Sequence, residues 1–214
     1  MAVLIVGATG YLGQALGRAL VERGSEVRGL ARPGAEHRLP SGVRPVTGEA
    51  LDASTWRDAA AGAGTLVHLV GTPRPNPTKT RQFQEVDLAS IRVAAAVARD
   101  AGVRHLVYVS VAHPAPVMRA YIAARQAGER LVREAGVPAT ILRPWYVLGP
   151  GHWWPYALVP AYALLRAWPP TRAGAMRLGL VTRRQMVTAL VYAVEHPAPD
   201  VRVMDVPAIR RGGV

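Results

Sequence analysis

The chain has 214 residues, half of them hydrophobic and 19% charged, a length and balance that suit one globular domain with a substantial core. It contains no cysteine, which excludes disulfides, thiolate metal sites and cysteine nucleophiles and is compatible with a cytoplasmic location. The net charge of +12 comes from 26 basic and 14 acidic residues; nearly all the basic ones are arginine, scattered without a run of five, and no aromatic-basic alternation marks a nucleic-acid platform.

In chain order, "AVLIV" (2–6) reads as a first strand rather than a signal peptide, since no basic n-region precedes it. The next segment places Leu12, Leu16 and Leu20 on one helical face. Strands follow at 26–30 and 43–48, then a short helix through about Ala61 that Ser54 could cap, and a buried strand at 65–70. The prolines of "GTPRPNPTKT" mark a loop, after which a long helix is expected from Thr80 to Ala101, stopped by Gly102. A strand at 103–110, a helix from about Pro116 to Ala135 and a strand at 139–143 complete the regular alternation. Beyond lie a Pro- and Trp-rich segment, a helix near 182–195 and a short strand near 201–205.

Alternating strands and helices predict an α/β fold, a doubly wound parallel sheet of the Rossmann type covered on both faces. No linker is visible, so residues 1–214 read as one domain, with about 144–214 contributing a small substrate lobe over the carboxyl ends of the strands. The apolar stretch 153–168 holds Pro155, Pro160 and Arg166 and is too short and broken for a membrane span. The six histidines show no metal-ligand spacing, so no metal site is expected.

Gly7, Gly10 and Gly13 stand directly between the first strand and the first helix. Such glycines allow a tight turn, close approach of a pyrophosphate and close helix packing, while the helix N-terminus offers free amides and a partial positive charge. The Gly-x-x-Gly-x-x-Gly spacing of "GATGYLG" resembles the extended and atypical short-chain dehydrogenase/reductase superfamily. Further segments carry the same resemblance: "VTGEALDAST" (46–55), "VHLVG" (67–71), "VDLASIRVAAAVARDAGVRHLVYVSV" (86–111) and "YIAARQAGERLVREAGVPATILRPWYVLGPG" (121–151). Within it, the chain is most similar to the NAD(P)H-binding group with NmrA-like and complex-I-subunit-like members.

The resemblance implies a nicotinamide dinucleotide held by Gly7, Thr9, Gly10, Tyr11, Leu12 and Gly13. It puts Glu49 in the adenine-contacting acidic position, Val70 and Gly71 on the cofactor-lining end of the fourth strand, and Pro144 beside the nicotinamide. "EVRGLARPG" has no acid at the end of the second strand and places Arg32 there, with Arg28 nearby. An arginine at this point pairs with a 2′-phosphate, so NADP(H) is favoured over NAD(H).

For catalysis the resemblance implies three residues: Ser110 orienting a substrate carbonyl, Tyr121 as proton donor or acceptor, and Arg125 in place of the usual lysine that holds the ribose. Tyr121 and Arg125 are i and i+4, so one helical face carries both. A nearby cation favours a phenolate, but a planar, forked guanidinium does not reproduce an ammonium's position. Tyr121 could instead be an ordinary amphipathic-helix residue and Ser110 a strand-end cap. Asp87, where extended relatives usually carry asparagine, is a second departure. Glu129 occupies the family's glutamate position. His113 and His152 read as loop residues that could line a substrate mouth.

Four of the five tryptophans, Trp145, Trp153, Trp154 and Trp168, lie in one segment with Tyr146, Tyr156 and Tyr162, an aromatic wall suited to an apolar or ring-containing substrate, or equally to a lobe core or dimer contact. The expectation is an NADP(H)-dependent oxidoreductase acting on a small-molecule carbonyl or quinone-like substrate, monomeric or homodimeric. A redox sensor or assembly subunit that binds NAD(P)H without turnover is the alternative. An NAD-dependent epimerase/dehydratase ranks lower because only 63 residues (152–214) follow Gly151.

Overall fold

A computed structural model describes residues 2–150, 162, 164, 165 and 167–213. Seven parallel strands form one sheet in the order β3-β2-β1-β4-β5-β6-β9: β1 Ala2–Val6, β2 Glu26–Ala31, β3 Arg44–Thr47, β4 Thr65–His68, β5 His105–Val109, β6 Ala139–Leu142 and β9 Val201–Met204. The helices are α1 Tyr11–Val21, α2 Arg57–Ala60, α3 Thr80–Gln82, α4 Ala89–Asp100, α5 Arg119–Glu134, α6 Pro169–Arg177, α7 Arg183–Glu195 and α8 Val206–Arg210. This is the doubly wound Rossmann arrangement, with the strand order reversing between β1 and β4, where such sheets open a crevice at the strands' carboxyl ends.

The apolar strands explain the two-sided core. Along β1, Val3 and Ile5 point to one face and Leu4 and Val6 to the other, as a period of two requires. The first face packs on Leu16 and Leu20 of α1 and on Met186 and Leu190 of α7. The second packs on Trp56, on Ile91 and Ala94 of α4, and on Val132 of α5. Burial on both faces is what makes these strands continuous apolar runs.

Several boundaries differ from the sequence expectation. The strand expected at 65–70 ends at His68, which leaves Leu69–Gly71 as backbone at the crevice. The long helix expected from Thr80 is interrupted by a π-helical turn, Phe83–Leu88, that buries Phe83 and Asp87. The helix expected from Pro116 starts at Arg119, after Met118 in the left-handed region (φ 58°). Asp52, not Ser54, caps the turn near Ala53 by accepting the Ser54 amide at 3.0 Å.

The Pro- and Trp-rich segment also holds structure that periodicity did not reveal. β7 Tyr146–Leu148 pairs in parallel with β8 Leu180–Thr182 as a separate two-stranded sheet. Thr182 then opens α7 through a full capping box with Gln185, and β9 returns to the main sheet beside β6. His152, Trp153, Trp154 and Tyr156 lie outside the described residues.

Candidate dinucleotide and carbonyl site

The loop after β1 is built by its glycines. Gly7 has φ +95°, and a Cβ there would sit 3.0 Å from the Leu69 carbonyl carbon. Its carbonyl accepts the Gly10 amide at 3.1 Å. Gly13 permits α1 to lie on the loop: a Cβ would overlap the Gly7 carbonyl and come within 2.7 Å of Ala8 Cα. Gly10 is the N-cap of α1 and gives no side-chain cap, and no acid stands in the first turn. The first amides of the helix therefore face outward with no carbonyl of their own helix to bond, which is the donor set an anion takes.

The other residues expected around this loop are placed as follows. Thr9 accepts the Gln14 amide nitrogen through its carbonyl at 3.0 Å. Leu12 packs its side chain against the sheet core, so only its backbone faces the loop. Tyr11 turns toward the second sheet, with Arg183 5.1 Å from its ring centroid and its hydroxyl against Gly149.

At the ends of β2 and β3, Arg32 and Glu49 are both exposed. Arg32 carries no side-chain bond to any described residue, whereas Arg28 is committed to the carbonyls of Ala59 and Ala61 at 3.0 Å each and to Glu26. Arg28 therefore serves the packing of α2 on the sheet edge rather than a ligand. Pro144 is buried, and its carbonyl accepts the Ala112 amide at 2.8 Å.

Arg125 is 6% exposed and reaches from α5 to the ends of β4 and β5. It donates to Asp87 Oδ1 at 2.6 Å and to the Val109 carbonyl at 3.0 Å, with the Val70 carbonyl at 3.5 Å. Asp87 completes its shell by accepting the Thr72 amide at 2.9 Å and hydroxyl at 2.5 Å. The guanidinium fills the space a Cβ would take at Gly71. Burial works against its charge, but Tyr121, Tyr108 and Asp87 outweigh burial and hold its pKa above the ordinary value. Tyr121 is half-buried, its ring 5.3 Å from the Arg125 guanidinium carbon and 5.0 Å from the Phe83 ring.

Ser110, 3% exposed, donates its hydroxyl to Glu129 Oε1 at 2.7 Å. Glu129 also holds Arg143 in a two-pronged pair, at 2.8 and 2.5 Å, and contacts His113 Nε2 at 3.4 Å. Gln126 lies 3.3 Å from His113 Nδ1, so an amide donating there leaves the proton on Nε2, facing Glu129. Burial alone would raise the Glu129 carboxyl; the hydrogen bonds of Arg143 and Ser110 and the charges of Arg143 and His113 bring it below its usual value. A serine hydroxyl has one proton, so Ser110 must rotate off Glu129 before donating to anything else.

The structure thus gathers Ser110, Tyr121 and Arg125 at the carboxyl ends of β4 and β5, beside the glycine loop that follows β1. The ion-pair partner of Arg125, the Thr72 brace and the four-donor shell of Glu129 were not foreseen. Asp87 in place of asparagine was the signal that could have led to the first.

A glycine cradle at the switch point of a parallel sheet, with an uncapped helix N-terminus behind it, defines a dinucleotide-binding protein of the Rossmann class. A family model described as NAD(P)H-binding matches residues 7–150, and the chain belongs to this NAD(P)H-binding family. It is similar to a ceramide reductase of Caulobacter vibrioides, 36% identical over 151 residues, which cover 70% of this chain and 47% of that protein. It is also similar to a 4-hydroxy-2-methyl-3-oxo-4-farnesyl-3,4-dihydroquinoline-1-oxide ketoreductase of Stigmatella aurantiaca, 28% identical over 171 residues, 70% of this chain and 51% of that one. The chain therefore spans about half the length of these relatives. A short-chain dehydrogenase/reductase superfamily protein from Agrobacterium tumefaciens, solved with NAD bound, shares the fold at TM-score 0.69 and 21% identity, covering 99% of this chain and 81% of that one.

Proposed function

We propose that the chain, acting as one dinucleotide-binding unit in the cytoplasm, is an NADP(H)-dependent reductase of a carbonyl in an apolar, lipid-like small molecule. The observation that carries this reading is Arg125, which binds the Val109 carbonyl next to Ser110 and lies against the Tyr121 ring. One buried cation thereby ties the carbonyl-orienting and proton-transferring candidates together.

The residues present fit a nicotinamide dinucleotide. The outward amides after Gly10 suit its pyrophosphate, Arg32 a 2′-phosphate, Glu49 the adenosine end, and Val70, Gly71 and Pro144 the nicotinamide end. When bound, the nicotinamide supplies the hydride. Tyr121 Oη gives the proton to the carbonyl oxygen, and Ser110 Oγ, turned from Glu129, donates a hydrogen bond to the same oxygen. Arg125 keeps a positive charge beside Tyr121. The names of these two relatives carry long hydrocarbon groups, ceramide and farnesyl, which supports an apolar substrate.

Titration with NADPH and NADH, followed by turnover on long-chain and ring ketones, tests the reading. Tyr121→Phe is expected to cut turnover by about 10²–10⁴-fold while NADPH affinity stays within about twofold; surviving turnover removes Tyr121 from the reaction. Arg32→Ala is expected to weaken NADPH by about tenfold or more relative to NADH; equal losses remove the phosphate pairing. One observation favours a second reading, a redox sensor or assembly subunit: Arg125 spends its donors on Asp87 and the strand ends instead of leaving them for a ribose. Tight NADPH binding with no oxidation by any ketone selects it.

A further inference from the structure

We infer that the exposed corner formed by Leu164, Leu165 and Trp168, together with the outward side of α6, is a docking surface for an anionic lipid bilayer. This goes beyond the reductase reading and stands without it.

The first observation is charge. Residues 135–194 contain six arginines and not one aspartate or glutamate. Of these arginines, Arg143 is paired with Glu129 from outside the stretch, whereas Arg172 and Arg177 of α6 are exposed and make no ion pair with any described residue.

The second observation is exposed apolar surface in the same stretch. Leu164 is 74% exposed, Trp168 65%, Leu165 43% and Met176 37%. Large apolar side chains this exposed and this close in sequence mark an interaction face rather than scatter. Local hydrogen bonds build the corner that carries them. The Trp168 amide donates to the Leu164 carbonyl at 3.2 Å, the Trp168 carbonyl accepts the Arg172 amide at 3.0 Å, and the Thr171 hydroxyl donates to the Leu165 carbonyl at 2.6 Å. Trp168 is the N-cap of α6. On that helix Ala175 is buried, while Arg172, Met176 and Arg177 are exposed. Arginine and large apolar side chains therefore share the outward side of α6.

The combination selects the occupant. Trp and Leu enter the boundary between headgroup and acyl chain, while arginines remain at the headgroups and gain from negative lipid. A second copy of this chain is disfavoured, because two such corners brought together set the exposed Arg172 and Arg177 against the same arginines.

Co-sedimentation of the chain with phosphatidylcholine vesicles, and with vesicles containing phosphatidylglycerol, tests the inference. Binding is expected to be at least about tenfold stronger to the anionic vesicles and to weaken as salt rises. Leu164→Glu/Trp168→Glu and Arg172→Glu/Arg177→Glu are each expected to lower it by about tenfold or more, with a thermal melt confirming that both variants fold. Because these positions are exposed, the two pairs separate the apolar from the charged contribution. Equal partition between the two vesicle types, no sedimentation, or wild-type binding by either folded variant overturns the proposal. So does a concentration-dependent dimer that Leu164→Glu/Trp168→Glu dissolves.

Discussion

A guanidinium as deeply buried as that of Arg125 needs a carboxylate, and Asp87, 1% exposed, is that partner. Arginine in place of lysine and aspartate in place of asparagine are thus two halves of one arrangement, with Thr72 satisfying the second carboxylate oxygen. Removing either half alone leaves an uncompensated buried charge, which typically costs about 3–5 kcal/mol. Asp87→Leu and Arg125→Leu are each expected to destabilise by roughly that amount, and the double variant by clearly less than their sum. Urea unfolding of the four proteins measures the coupling; simple additivity would show that the two side chains do not act as a unit. Glu129 follows the same logic with more partners, since Arg143, Ser110 and His113 all face it.

At the scale of the element, the glycines of the first loop divide by what they touch. A Cβ at Gly13 strikes backbone of the loop itself, so α1 cannot hold its place against β1. At Gly10 a Cβ meets only the Gly7 carbonyl, at 3.2 Å, and its φ of −81° is open to any residue. Gly13→Ala is therefore expected to lower stability by about 1–3 kcal/mol, as overpacking does, and to abolish dinucleotide binding with it. Gly10→Ala should melt close to wild type yet bind NADPH at least about tenfold more weakly, because its new methyl stands where the outward amides meet phosphate. Thermal melts and fluorescence titration of the two variants distinguish these roles. A Gly10→Ala protein with unchanged NADPH affinity would mean that the cradle does not hold the pyrophosphate.

Over the whole molecule, two buried histidines set a response to acid. Burial and then the Arg125 charge push His68 from 6.5 down to about 3. Burial and then the Arg202 charge push His105 from 6.5 down to about 4. His68 Nε2 lies 3.0 Å from the Ser90 hydroxyl, and His105 Nε2 lies 3.0 Å from the Thr140 hydroxyl. Both are neutral in the folded chain through a range where the unfolded chain takes up protons. Their depressed values contribute stability that is present above about pH 6.5 and lost as pH falls, until about pH 4 for His105 and about pH 3 for His68. Unfolding free energy is expected to drop between pH 7 and pH 4 by up to about 3 kcal/mol per histidine. Denaturant melts across that range should show a shallower slope for His68→Asn/His105→Asn; an unchanged slope would place the acid response elsewhere.

The sequence by itself determined the sheet and the loop. Apolar runs of strand length alternating with amphipathic helices admit few arrangements, and a glycine triplet between the first strand and helix names the cradle before any coordinates exist. Those signals are local, carried by residues adjacent or one helical turn apart. Tertiary structure decided what the charged residues do. Asp87 and Arg125 are 38 residues apart, and Ser110 and Glu129 are 19 apart; no periodicity links such pairs, because they meet only when the π-turn, α5 and the strand ends pack together. The β7–β8 pairing joins Tyr146 to Leu180 across the Trp-rich segment, and strands of three residues are too short for a pattern to show. Side-chain chemistry was legible one residue at a time; its partners, and so its electrostatics, came from packing.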